Sequence, residues 1–285
     1  MVALVGYSGF VGSNLYSRAR NRIKGVFNSQ NIERAYGLEP EVLIYAGVRA
    51  EKYLANSAPE QDLEQILAAE ANIKAINPQR LVLISTIDVY KNPVGVDETD
   101  SVFSDGKGGA GNGINPYGLN RYYLEAWARK QYPNALIVRL PGLYGYNIKK
   151  NFIYDYMNVI PTMLKKEKYQ ELKILEKAGD GIMLEDCYEP APNGFYKCRK
   201  LDKEKRELLK KKFKTLNFTD SRSTFQFYSL GRLWEDIQTA LNEDIPLLNI
   251  ATEPVSAAEL YKALTGEVFK NELKGVPAKY DFRTT

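Results

Sequence analysis

The sequence predicts an α/β chain built on a doubly wound parallel sheet, with a smaller C-terminal α/β portion. Three observations carry this. Short, continuously apolar runs near 2–5, 41–47, 80–86 and 135–140 alternate with helical patterns, and strands apolar on both sides belong to parallel sheets covered on both faces. Gly6, Gly9 and Gly12 fall between the first of these runs and the first helical pattern. The alternation weakens after residue 145, and residues 165–215 are highly charged.

The elements follow in order. "VALV" at 2–5 is a strand stopped by Gly6, and "FVGSNLYSRA" at 10–19 is a helix. "GVF" at 25–27 is a short strand and "EVLIYAG" at 41–47 a stronger one. A helix over 59–76 is expected, with Ser57 and Glu60 at capping-box spacing, Pro59 in the first turn, and Leu63, Ile66, Leu67 and Ile73 along one face. "RLVLIST" at 80–86 is a buried strand. Asn115 and Pro116 have the residue types of an N-cap and first helical position, which opens a helix over 116–131. "ALIVRL" at 135–140 is the next strand. "NFIYDYMNVIPTML" reads as helical up to Pro161, and "TFQFYSL" at 224–230 as one strand. A helix with Leu230, Leu233, Trp234, Ile237 and Leu241 on one face follows. "LLNIAT" is then a strand, and "SAAEL" at 256–260 opens a capped helix. Residues 105–113, "DGKGGAGNG", are expected to be a mobile loop, and lack the Gly-Lys-Ser/Thr ending of a Walker phosphate loop.

The 285 residues suit one large α/β domain or one domain with a smaller partner. The expected division is a dinucleotide-binding portion over 1–145 and a mainly substrate-binding portion over 146–285, with the chain free to cross between them. A 44% hydrophobic, 26% charged composition is that of a globular protein with a real core. A net charge of +4 is too small to argue for nucleic acid. Lys197 to Lys214 carries ten Lys/Arg against three Asp/Glu, either a solvated insertion or a surface for phosphates. No apolar run reaches the roughly 18 residues a membrane span needs, and no charged region precedes the first apolar run, so neither membrane nor signal peptide is expected and the cytoplasm is the default. With no histidine, Ser-His-Asp chemistry and imidazole metal sites are excluded. The two cysteines, Cys187 and Cys198, are expected to be free thiols, and no metal site is expected. Acid/base work falls to Tyr, Lys, Asp, Glu or Cys.

The glycine turn points to a dinucleotide. Gly6 allows the sharp turn, Gly9 carries no side chain to hold a pyrophosphate off the backbone, and Gly12 lets helix and strand pack closely. The helix N-terminus at Phe10 and Val11 then offers free N–H groups to the phosphates. The spacing is G-x-x-G-x-x-G, and the alternative is a purely structural turn. The second strand ends in Phe27-Asn28-Ser29-Gln30, without the carboxylate that holds a ribose 2′-hydroxyl. Asn28 and Ser29 can bond either a hydroxyl or a phosphate, so NAD and NADP both stay open.

A second constellation sits later. Ser85 and Thr86 end a buried strand, at the edge where ligands of such sheets bind. Tyr117 and Arg121 lie at i and i+4, on one face of a helix. The alternative for Tyr117 is an aromatic packed beside the sheet.

Taken in order, "GYSGFVG", "YAG", "STIDVY", "YGLNR", "RLPGLYG" and "LLNIATEPVS" resemble the extended short-chain dehydrogenase/reductases, the NAD(P)-dependent epimerase/dehydratase family. The resemblance covers nearly the whole chain and implies a Rossmann-like fold with NAD or NADP as cofactor. It implies that Tyr117 is the acid/base, that Thr86 bonds the same substrate oxygen, with Ser85 the neighbouring candidate, and that Arg121 stands where the family lysine holds the nicotinamide ribose. It places Tyr45, Ala46, Gly47, Leu140, Pro141 and Gly142 at strand ends around the cofactor. The implied partner is a nucleotide sugar or related carbohydrate, with a homodimer as a possible assembly. Arginine keeps the lysine's charge but not its compact ammonium, and Ile87-Asp88 after Thr86 offers one carboxylate where dehydratases of the family carry two. Two readings follow: an epimerase, dehydratase or reductase, or a catalytically impaired nucleotide-binding sensor or scaffold on the same fold.

Overall fold

The computed structural model describes residues 1–102, 115–176 and 181–285. The glycine-rich 105–113 stretch therefore lies outside the described residues. The chain divides into two compact units, the first made of 1–148, 224–255 and 278–285, the second of 149–223 and 256–277. The first stretch of the first unit ends at Ile148, and two later stretches return to that unit.

The first unit is built on a six-stranded parallel sheet: β1 (Val2–Val5), β2 (Ile23–Phe27), β3 (Val42–Tyr45), β4 (Arg80–Thr86), β5 (Leu136–Leu140) and β6 (Leu247–Asn249). Their order across the sheet is β2-β1-β3-β4-β5-β6, with every pairing parallel. The helices are α1 (Phe10–Ala19), α2 (Lys52–Ser57), α3 (Pro59–Ile76), α4 (Pro116–Gln131) and α5 (Leu233–Asn242). Side chains alternate across each strand. Ala3, Val5, Leu43, Leu81, Leu83 and Ile137 pack with Ile66, Ala69 and Ile73 of α3 and Leu124 and Ala128 of α4. Leu4, Ile44, Val82, Leu136 and Val138 pack with Leu15 of α1 and Leu233 and Ile237 of α5. Both sheet faces are thus covered, which is why these strands read as continuously apolar. The strand order reverses at β1, with β2 on one side and β3 on the other, and ligands of open α/β sheets bind at the carboxyl ends of strands at such a point.

Several local expectations are corrected. Helix α3 starts at Pro59 as expected, but its N-cap is Ala58, without a side-chain cap. Ser57 instead ends α2, where its hydroxyl donates to the Leu54 carbonyl. Its buried face is Asp62, Ile66, Ala69, Glu70, Ile73 and Ile76, while Leu63 and Leu67 are 36% and 47% exposed. Turning Asp62 inward rotates the stripe away from both leucines. The single strand expected at 224–230 is two, Thr224–Phe225 and Phe227–Ser229. Gln226 between them is pulled inward, donating to the Thr252 and Phe282 carbonyls and accepting from Phe282 N–H.

In the second unit the helix expected up to Pro161 spans only Phe152–Met157, because the Asn158 side chain turns back and bonds the Tyr154 carbonyl. A three-stranded antiparallel sheet joins Met163–Lys165, Phe195–Cys198 and Tyr188–Ala191. It has its own core of Ile160, Leu164, Leu184, Tyr188, Leu209 and Phe213. Of the basic helix Lys203–Lys212 only Leu209 is buried; Lys203, Lys205 and Lys211 are exposed, while Lys212 turns in to pair with Glu176 at 3.4 Å. The helix Ala257–Thr265 carries the expected capping box between Ser256 and Glu259. Cys187 and Cys198 are free, and burial pushes the Cys187 thiol up to about 11. Among the described residues no helix is long and apolar enough to cross a membrane, and no three His, Cys, Asp or Glu side chains are grouped as a metal would require.

Candidate active site

Because the sheet is parallel, β1, β3, β4 and β5 end on one edge. At β1, Gly6 adopts φ +89°, and a Cβ there would lie 2.3 Å from the Ala46 carbonyl oxygen. A Cβ on Gly12 would lie 2.1 Å from the Gly6 oxygen. The end of β1, the first turn of α1 and the chain after β3 therefore touch backbone to backbone, which only glycine permits. Gly9 differs. It is the extended N-cap of α1, and the only neighbour its Cβ would meet is the Gly6 oxygen at 3.3 Å. Gly9 is itself exposed, and the first-turn amides of Phe10 and Val11 have no intrahelical acceptor, as an anion at a helix N-terminus requires.

Asn28 follows β2 and reaches this turn, with Nδ2 3.3 Å from Ser8 Oγ, while its Oδ1 accepts from Gln30 N–H. Ser29 is exposed. Tyr45 is buried, its hydroxyl 3.4 Å from Asn72 Nδ2, so its ring belongs to the core while Ala46 and Gly47 border the turn. At the end of β5, Leu140 is buried and Gly142 begins a short parallel pairing with Phe227. Asn14 was not singled out from sequence. It ties α1 to the segment after β5, exchanging two hydrogen bonds with the Tyr146 backbone.

Ser85 and Thr86, being neighbours on β4, face opposite ways. Ser85 donates at 2.5 Å to Glu125 of α4, a fully buried carboxylate also paired with Arg139 at 2.6 Å, so its hydroxyl belongs to an interior network. Thr86 Oγ1 accepts from Asp88 N–H at 3.2 Å, and its hydroxyl favours the phenolate form of Tyr117. Tyr117 opens α4, whose N-cap forms as expected, Asn115 Oδ1 accepting from Gly118 N–H at 3.0 Å. The Tyr117 backbone N–H is held by Asn56 Oδ1 of α2 at 3.0 Å. Burial raises the phenol's pKa; the Arg121 charge opposes it, Asp88 adds to it, and Thr86 and Lys52 oppose it.

Arg121 lies one turn on, its guanidinium 4.4 Å from the Tyr117 ring centroid. Its fork is closed on Asp62, Nη1–Oδ2 2.7 Å and Nη2–Oδ1 3.0 Å, and Nη2 also reaches the Arg49 carbonyl at 2.6 Å. Both side chains are about 95% buried. Two parallel charge-assisted bonds are what arginine makes and lysine does not, so the structure accounts for arginine at 121. The same geometry turns its charge on the face of the ring.

A group missed from sequence completes the site. Lys52 Nζ of α2 lies 2.7 Å from Asp88 Oδ1 and 3.3 Å from the Tyr280 hydroxyl, and that hydroxyl donates to Asp88 Oδ1 at 3.0 Å. Nothing in the sequence flags Lys52 or Tyr280, since they meet Asp88 only in the fold. Two cavities of the first unit, of about 630 and 440 Å3, lie along 251–254 with 281–284 and around Tyr144, Tyr228 and Asn249. Neither is lined by Thr86 or Tyr117, so the site rests on its side-chain chemistry.

No protein-family model matches the chain, and no curated protein sequence matches it significantly. Solved structures do. A UDP-glucose 4-epimerase from Thermotoga maritima with UDP-glucose is 14% identical, with 99% of this chain and 89% of that one covered at a TM-score of 0.58. A dTDP-4-dehydrorhamnose reductase from Bacillus anthracis in complex with NADP is 14% identical, covering 99% and 88%, at 0.61. A UDP-glucose-4-epimerase from Stenotrophomonas maltophila with bound NAD and formylated UDP-arabinopyranose is 14% identical, covering 99% and 89%, at 0.59. Over nearly its whole length, then, the chain has the Rossmann-like fold of these epimerases and reductases, the fold that its resemblance to the extended short-chain dehydrogenase/reductases led one to expect.

Proposed function

We propose that the chain is an NAD(P)-dependent epimerase or reductase acting on a nucleotide sugar or related carbohydrate. The observation that carries this is the Thr86–Tyr117 pair, held at the same sheet edge as the open glycine turn. The fit for a dinucleotide rests on that turn, with Gly6 and Gly12 closing it by backbone contact and Gly9 exposed at the start of α1, whose first amides have no intrahelical acceptor. Asn28 would face the adenosine ribose side, and Ala46, Gly47, Leu140, Pro141 and Gly142 would line the rest. When bound, the nicotinamide would supply or accept hydride.

The chain's own work is proton transfer and orientation. Tyr117 moves a proton on or off a substrate hydroxyl, and Thr86 bonds the same oxygen, positioning it for that exchange. A free phenol is a poor base near neutral pH, so the cations near Tyr117 matter to the rate. The Asp88 carboxylate is occupied by Lys52 and Tyr280, which favours epimerisation or ketone reduction over a dehydration needing a free carboxylate. Solved structures of the same fold hold UDP-glucose, NADP and NAD, and this supports the ligand class. The assembly proposed is a homodimer, to be checked by light scattering. A non-catalytic nucleotide-binding protein is the second reading, favoured by the engagement of Arg121 with Asp62.

The test is calorimetric titration with NAD+, NADP+ and their reduced forms, then incubation with a panel of UDP- and dTDP-sugars and product analysis. Conversion that falls on the order of 10²–10⁴-fold in Tyr117→Phe supports the enzyme. Tight nicotinamide binding with no conversion of any sugar supports the second reading.

A further inference from the structure

The turn after β2 uses up its acceptors and keeps its donors. Asn28 is held on three sides. Its N–H donates to Asn31 Oδ1 at 2.7 Å, its carbonyl accepts from Asn31 N–H at 3.1 Å, and its Oδ1 accepts from Gln30 N–H at 2.9 Å. A backbone N–H can only donate, so the amide oxygen of Asn28 must face Gln30 and the NH2 must face away. Nδ2 accordingly lies 3.3 Å from Ser8 Oγ in the glycine turn. The Phe27 carbonyl is taken by Gly6 N–H at 2.7 Å, and the Val26 carbonyl by Asn31 Nδ2 at 3.4 Å. Donors are what remain. Ser8 Oγ accepts from Asn28 and so keeps its own proton to give, Asn28 has a second amide N–H, and Ser29 brings a hydroxyl. Ser8 and Ser29 are both exposed. The chain has no Asp or Glu before Glu33, so both sides of this rim are built without a carboxylate.

In open α/β sheets with a glycine turn after β1, the end of the second strand meets the adenosine ribose. A 2′-hydroxyl there gives its proton to an acceptor, most often a carboxylate. A 2′-phosphate dianion has no proton to give and takes hydrogen bonds only. We propose that the Ser8–Asn28 rim selects the 2′-phosphate, so that this chain prefers NADP(H) to NAD(H), with Asn28 and Ser8 as the specificity-determining residues. This rests on the reading of the glycine turn as a dinucleotide site. The selection is made by neutral donors held in place by the Asn28–Gln30 and Asn28–Asn31 bonds, and hydrogen bonds from such donors to an ionised phosphate are stronger than those to a hydroxyl. A sequence reading leaves the choice open because an asparagine offers an oxygen and a nitrogen alike; the fold turns the oxygen inward.

The experiment is binding to the full chain by calorimetry, without turnover, using NADP+ against NAD+ and 2′,5′-ADP against 5′-AMP. The two pairs differ by the 2′-phosphate alone. In the parent the phosphorylated member of each pair should bind at least about tenfold tighter, the worth of one hydrogen bond to a charged group. Asn28→Asp keeps an oxygen for Gln30 N–H and puts a second one where the NH2 stood. It should weaken NADP+ on the order of 100-fold and hold or improve NAD+, reversing the order. Ser8→Ala should weaken NADP+ about fivefold and leave NAD+ within about twofold. Equal affinities in the parent, or tighter NAD+, overturn the proposal and leave the dinucleotide reading standing. A folded parent that binds none of the four nucleotides overturns that reading and the proposal with it. If Asn28→Asp does not fold, Ser8→Ala decides: a loss confined to the phosphorylated ligands supports the proposal, and an equal loss for both members of a pair, or none, overturns it.

Discussion

Replacing Arg121 by lysine restores the residue that the family pattern would place there, yet the structure expects a loss. The guanidinium donates three hydrogen bonds, two to Asp62 and one to the Arg49 carbonyl. A lysine ammonium at the same stem can approach one carboxylate oxygen but cannot span both and reach Arg49. Asp62 would keep the 2.9 Å bond from Asn120 and be left partly unsatisfied at 5% exposure. Hydrogen bonds to charged groups contribute about 1.5–3 kcal/mol each, and a buried group left without its partner costs a similar amount. With the net charge preserved, Arg121→Lys should destabilise by about 2 kcal/mol, and a chain of this size should melt about 4–8 °C lower. The assay is thermal unfolding by far-UV circular dichroism, run as a double-mutant cycle with Asp62→Asn. In Asp62→Asn the fork has already lost its carboxylate, so adding Arg121→Lys should cost much less than in the parent. An Arg121→Lys protein melting within about 1 °C of the parent, or strictly additive effects in the cycle, would refute the claim that this pair fixes arginine at 121.

Gly9→Asp, whose Cβ meets only the Gly6 oxygen at 3.3 Å among the described residues, should keep the fold and abolish nicotinamide binding by calorimetry by placing a carboxylate at the helix N-terminus, whereas Gly12→Ala should lose the fold because its Cβ would lie 2.1 Å from the Gly6 oxygen. Thr86→Val, which keeps the shape and removes the hydroxyl, should raise the Tyr117 pKa by tyrosine NMR and slow sugar conversion with little change in nicotinamide affinity. Burial raises the Asp155 carboxyl to about 6 from 3.8. The folded state therefore binds that proton more tightly than the unfolded chain, and this group's contribution to stability falls as pH rises from about 4 through 6. Asp155→Asn should raise the melting temperature at pH 7.5 and leave it unchanged below pH 4.

The sheet was legible because each strand is buried on both faces and so carries its own signal; β1, β3, β4 and β5 need no partner to be recognised. The glycine turn was legible for a related reason. Gly12 is imposed by the Gly6 backbone six positions earlier and Gly6 by its own positive φ, as the Asn115–Pro116 start of α4 is imposed by local capping. What stayed hidden depends on residues far apart in the chain. Asp62 and Arg121 are 59 positions apart, Asp88 and Tyr280 are 192 apart, and a single sequence does not show that they meet. Helix α2 is illegible from the same cause. Six residues without a side-chain cap make no stable helix alone, and it is held through Lys52 and Asn56 by residues that come later. The phase of α3 was misread because Leu63 and Leu67 outrank Asp62 in hydropathy, while the buried arginine decides which face turns in.

The return of 224–255 and 278–285 to the first unit bears on how this protein is cut for experiment. A fragment stopping at Ile148 looks like a natural dinucleotide-binding domain in chain order. It would lack β6, and the β5 backbone that pairs with Leu247–Asn249 would become a bare sheet edge, open to pairing with other chains. The apolar surface that α5 covers through Leu233, Ile237 and Ala240 would be laid open beside it, and Tyr280 would be gone from Lys52 and Asp88. Such a fragment should aggregate rather than bind nucleotide. Its failure would report on the excision and not on the chemistry, and a deletion of 149–223 alone, closed by a short linker, is the better way to isolate the sheet.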